Sequence, residues 1–84
     1  MMTQTQFDDT VLGIAEHEVR IGYIACQMRR QNDPDHNRIE EELMMLQNVL
    51  TGLRNYDLTS DILTDTEIYY YFELSTQIVQ NCPM

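Results

Sequence analysis

Eighty-four residues give room for one domain, near the lower limit at which a single core folds unaided. The formal charge is −9, from 14 Asp and Glu against five cationic side chains, all of them Arg. Phosphate backbones and anionic membrane surfaces are held by clustered cations, and Arg29-Arg30 is the only local cluster, so both are excluded as direct ligands. Apolar residues make up 43% of the chain, enough to build a core and too many for a disordered segment.

The first predicted element is a helix over about 7–30. Phe7, Val11, Ile14, Ile21, Ala25 and Met28 follow alternating steps of four and three, interrupted at Glu18. A second row, Leu12, Ala15, Val19, Gly22 and Cys26, runs beside it. Together the rows cover more than half the circumference, which predicts a helix packed on two sides by other helices or by a neighbouring subunit. Asp8 and Asp9 near its start and Arg29-Arg30 near its end suit the helix dipole.

Asn32-Asp33-Pro34-Asp35 stops this helix and starts a second, predicted over about 34–54 with Asp33 or Asp35 as N-cap. Ile39, Leu43, Leu46, Leu50 and Leu53 form a heptad seam, flanked by Met45 and Val49. The short connection makes the two helices an antiparallel hairpin.

Residues 55–63 lack periodicity, and Leu58, Ile62 and Leu63 are expected to fold over one end of the core. Thr64-Asp65-Thr66-Glu67 matches a capping box and opens a third helix over about 65–81. Ile68, Tyr71, Phe72, Ser75, Ile78, Val79 and Cys82 share its inner face, and Pro83 falls too late to disturb it. The expected fold is all-α: a single domain, 1–84, formed as a three-helix bundle of two long antiparallel helices and a shorter third.

Convergent chemistry is scarce. Glu16-His17-Glu18 cannot chelate, because helix neighbours diverge by about 100°. Asp57-Leu58-Thr59-Ser60-Asp61 alternates oxygen ligands as a calcium loop does, but the sixth position is Ile62 and the twelfth is Ile68. Those places require glycine and glutamate. No Ser or Cys has a recognisable base partner. Two cysteines are too few for a secreted disulfide framework, and no segment reads as a signal peptide or a bilayer span, so a reducing compartment is the default. No catalytic residue, metal ligand or cofactor is expected. Glu18 is expected to be a buried or boundary carboxylate satisfied by a Tyr hydroxyl, an Arg or a neighbouring chain.

The segment from Leu43 to Cys82 combines a leucine-rich helix ending in Asn55-Tyr56-Asp57 with a polar connection. Leu63-Thr64-Asp65-Thr66-Glu67-Ile68 then opens an aromatic-rich helix closing near a cysteine. It resembles small helical proteins encoded among the virion-structure genes of tailed bacteriophages that infect Bacteroidetes. The resemblance implies a virion or virion-assembly component, in the virion or the host cytoplasm, that packs against larger proteins.

The functional expectation is thus a non-catalytic structural or adaptor protein, binding a larger protein assembly or itself. Tyr69, Tyr70 and Leu74, on the flanks of helix three, and Arg29 and Arg30 are its candidate contact residues. The alternative is an acidic inhibitor or nucleic-acid mimic from a mobile element, bound to a host nucleic-acid-binding protein. An enzyme or metal-binding bundle with an unfamiliar site ranks third.

Overall fold

A computed structural model describes residues 2–60 and 62–82 as three α-helices: α1 (Gln4–Arg30), α2 (His36–Arg54) and α3 (Asp65–Asn81). Asp61 of the calcium-like loop and Pro83 lie outside the described residues.

Helix α1 begins three residues earlier than its periodicity predicts, because a capping box sits upstream of the apolar rows. The Thr3 hydroxyl accepts from the Gln6 N–H at 3.1 Å, and the Gln6 side-chain Oε1 accepts from the Thr3 N–H at 2.9 Å. Asp8 and Asp9 consequently fall beyond the first turn and act on the dipole less directly than expected. At the other end Asn32 adopts φ 57°, a left-handed conformation that asparagine tolerates. This lets the Asp33 N–H reach Met28 O at 2.9 Å and the Asn32 N–H reach Arg29 O at 3.1 Å, the paired bonds of a Schellman motif.

Helix α2 starts at His36 rather than Pro34. Asp35 is its N-cap without a side-chain cap bond, while the Asp33 carboxylate accepts from the Asp35 N–H at 2.9 Å. Thr64 caps α3 as predicted, its hydroxyl accepting from the Glu67 N–H at 3.1 Å.

Helix α1 is the middle of the bundle. It packs along both α2 and α3, which barely touch each other, in a body of 45 × 18 × 15 Å. The core follows the first apolar row of α1, where Phe7, Ile14, Ile21, Ala25 and Met28 are buried, against the α2 seam Ile39, Leu46, Leu50 and Leu53 and against Ile68 and Ile78 of α3.

Several expectations fail at the margins of this core. Met45 is exposed beside Met44, whereas Val49 on the same flank packs against the core. Ile62 is 78% exposed, so Leu58 and Leu63 alone pack over the end of the core. Phe72 lies at the rim of the α1–α3 seam rather than inside it. Cys82 is buried, but Cys26 faces outward and is not a core hydrophobe.

The α2–α3 connection contains one 3₁₀ turn, Leu58–Ser60. Asp57 accepts from the Thr59 hydroxyl at 2.7 Å and the Thr59 N–H at 3.0 Å, which holds its carboxyl below the ordinary range. That is an Asx turn. The Tyr56 hydroxyl accepts from the Leu63 N–H at 2.9 Å and closes the connection, while its ring lies 5.9 Å from that of Phe7.

Candidate functional site

Ser75 meets a histidine that the sequence does not pair with it. His17 Nδ1 of α1 lies 2.8 Å from Ser75 Oγ of α3, a pairing across 58 positions that no sequence spacing announces. The arrangement is a helix clamp. Ser75 is fully buried, and its hydroxyl donates to the Phe72 carbonyl at 2.7 Å, so its oxygen is left to accept from the His17 Nδ1–H. A nucleophile needs a base that removes its proton and a path for substrate. This hydroxyl proton points at a backbone carbonyl, between helices. The Phe72 ring lies tilted against His17, 5.3 Å between ring centroids, and packs over Gly13, sealing the same seam.

Of the two other polar clusters, the one at Glu40 also joins helices, while Glu42 and Arg38 both belong to α2. Glu40 of α2 pairs with Arg29 at the end of α1 and accepts from His36 Nδ1 at 3.2 Å. Glu42 pairs with Arg38 at 3.4 Å. Among the described residues no group of three His, Cys, Asp or Glu side chains could hold a metal ion. Burial pushes the Cys82 thiol above its ordinary value; Glu42 adds to the rise, while Arg38 and Arg20 oppose it. Glu18 is half-buried, and no described residue hydrogen-bonds or ion-pairs with it, so the expected Tyr or Arg partner within the chain is not there.

The surface is more distinctive than the interior. Of the five residues predicted to make contacts, Tyr69 and Tyr70 are exposed, Tyr70 at 58%. Leu74 is half-buried against the core. Arg29 is committed to Glu40, whereas Arg30 extends into solvent. The structure therefore does not unite the arginines with the tyrosines, which sit on a different helix. Tyr69 and Phe72 line a shallow depression with Asp9 and Thr10, and the Tyr70 ring lies tilted to that of Tyr71, 6.1 Å between centroids.

No protein-family model matches the chain, and no curated protein or solved structure matches it.

A second surface was hidden in the sequence. Leu12 is 58% exposed, Val19 72% and Tyr23 62%, all on the outer side of α1. Leu12 and Val19 belong to the second apolar row, expected to be packed. Only Ala15 and Gly22 of that row turn towards α2, where Gly22 approaches Leu43. The signal was present: Leu12, Val19 and Tyr23 recur at steps of seven and four, displaced from the buried row. Beside Leu12 and Ala15 a groove of about 380 Å³ opens between the start of α1 and the end of α2, with Leu53, Arg54 and Tyr56 on its far wall. None of the described helices is long and apolar enough to cross a membrane.

Proposed function

We propose that this chain is a non-catalytic structural or adaptor protein that docks on a larger protein assembly, such as a phage virion, through the aromatic flank of α3. The supporting observation is the pair of exposed tyrosines, Tyr69 and Tyr70, on a helix capped at its start and clamped to α1 through Ser75. Rigid exposed aromatics lose little entropy on binding and supply much of the energy of protein interfaces. Of the buried polar side chains, Ser75 ties α3 to α1 and Thr10 bonds the Gln6 carbonyl of its own helix, which supports contact as the mode of action.

The inhibitor reading has less support. A nucleic-acid mimic needs free carboxylates in an array, and Glu40 and Glu42 are engaged by Arg29, His36 and Arg38.

Photo-crosslinking from position 70 in native particles tests the proposal. The expected product joins this chain to one repeated assembly protein and disappears in Tyr69→Ala/Tyr70→Ala. A salt-sensitive complex with a single basic nuclease or polymerase, unaffected by that double substitution, would overturn it.

A further inference from the structure

The outer face of α1 has an order that a generic sticky patch would lack. Asp8, Leu12, Val19, Tyr23, Cys26 and Arg30 are all exposed and fall within a sector of about 60° at 100° per residue. Five of the six are placed symmetrically about Val19, and the sixth, Tyr23, has the half-buried Ala15 at the edge of the sector as its counterpart. Asp8 and Arg30 stand eleven residues to either side, Leu12 and Cys26 seven, and Ala15 and Tyr23 four. Reversal about the centre exchanges acid for base, one apolar side chain for another, and a small residue for a large one. A surface with that property is complementary to itself in antiparallel register, as a two-fold interface must be.

We infer that the outer face of α1 receives a second copy of this chain, paired antiparallel about a two-fold axis at Val19. Asp8 of each copy meets Arg30 of the other, placing two ion pairs at the rims of an apolar strip. Tyr23 of each copy lies opposite Ala15 of the other, at the mouth of the 380 Å³ groove. Leu12, Leu53 and Tyr56 there offer apolar walls, and Asp8 and Arg54 offer polar groups for the hydroxyl. Charge complementarity selects this orientation. Parallel pairing would set Asp8 beside Asp8 and Arg30 beside Arg30, which repel. The pairing extends the contact reading above but uses a different helix, and leaves Tyr69 and Tyr70 free.

Analytical ultracentrifugation of the full chain in reductant, over a micromolar-to-millimolar series, tests the pairing. The expected species is a dimer of twice 9.9 kDa. Val19→Glu should give a monomer with an unchanged far-UV CD spectrum, since this side chain is 72% exposed in the single chain. Asp8→Arg and Arg30→Asp should each weaken dimerisation about tenfold, and the two together should restore it, because the exchanged charges meet again. Under mild oxidation Leu12→Cys should cross-link to native Cys26 of the second copy, and adding Cys26→Ser should abolish the link. The pairing is overturned by a chain that stays monomeric, by a dimer indifferent to Val19→Glu and the charge reversals, or by a wild-type cross-link through Cys26 alone. A monomer that still docks through position 70 would sink this pairing and leave the proposed function standing; a dimer that contacts no assembly would do the reverse.

Discussion

His17 Nδ1 and Ser75 Oγ, 2.8 Å apart, form a polar bond between the side chains of the middle helix and α3, at a position where Ser75 has no solvent exposure. A buried hydrogen bond is worth less than the cost of leaving one of its partners alone. Ser75→Ala should therefore destabilise the fold by about 1–3 kcal/mol, since the imidazole loses its acceptor. The Phe72 carbonyl keeps the Thr76 hydroxyl at 3.1 Å and should contribute little to that loss. A double-mutant cycle with His17→Ala, read by urea denaturation, should return a coupling of about 0.5–3 kcal/mol. Additive losses would mean that the two side chains act separately.

Gly13 and Gly52 should respond to alanine with opposite signs. Gly52 is exposed in α2, with nothing within 4 Å of a new Cβ, so Gly52→Ala should stabilise by about 0.5–1 kcal/mol through helix propensity. At Gly13 a Cβ would stand 2.5 Å from the Phe72 ring, which already packs against His17. Gly13→Ala should lose about 1–3 kcal/mol to overpacking, more than the same propensity returns. Combining it with Phe72→Ala should remove that penalty, so that the Gly13 change is no longer harmful in the Phe72→Ala background. Chemical denaturation of the four proteins decides the matter.

The Gly13–Phe72 contact also marks how far the fold was legible. Three helices, their order and most of the core could be read from the sequence, because apolar spacing and capping residues are local signals. Thr64 and Glu67 carried the start of α3 within four residues. What each helix turned towards was not local. Two apolar rows on α1 implied two covered flanks, yet α2 and α3 fill an arc that leaves Leu12 and Val19 outside. His17 and Ser75 carry no mark of each other, and Arg29 looked available until Glu40 of the next helix reached it. Tyr69 and Tyr70 were legible as surface residues only because their neighbours Ile68 and Tyr71 claimed the inner face.

The helix ends should be unequal in value. Thr64→Ala breaks a capping box and should cost about 1 kcal/mol. Asp35→Ala removes a side chain that makes no cap bond, and should cost markedly less than Asp33→Ala, which frees the Asp35 N–H. Asn32→Gly should stabilise by several tenths of a kcal/mol, since glycine adopts φ 57° without a Cβ penalty. Thermal melts of these four variants give the ranking directly, and an equal effect for Asp33 and Asp35 would contradict it.

The two thiols should separate kinetically and in their effect on stability. In dilute native protein Cys26 is exposed, and Cys82 is buried with its thiol held protonated by burial and the Glu42 carboxylate. A thiol reagent near neutral pH should therefore modify one cysteine rapidly, with the second following only after unfolding, because the thiolate is the reacting form. Folding binds the Cys82 proton more tightly than the unfolded chain does. The associated stability is fully present below the ordinary thiol value of 9.0 and is lost as pH climbs from there through the higher folded value. Alkaline denaturation should accordingly be steeper in the wild type than in Cys82→Ala, when each is referred to its own stability at neutral pH. Parallel curves, or two thiols labelled at one rate, would place Cys82 at the surface.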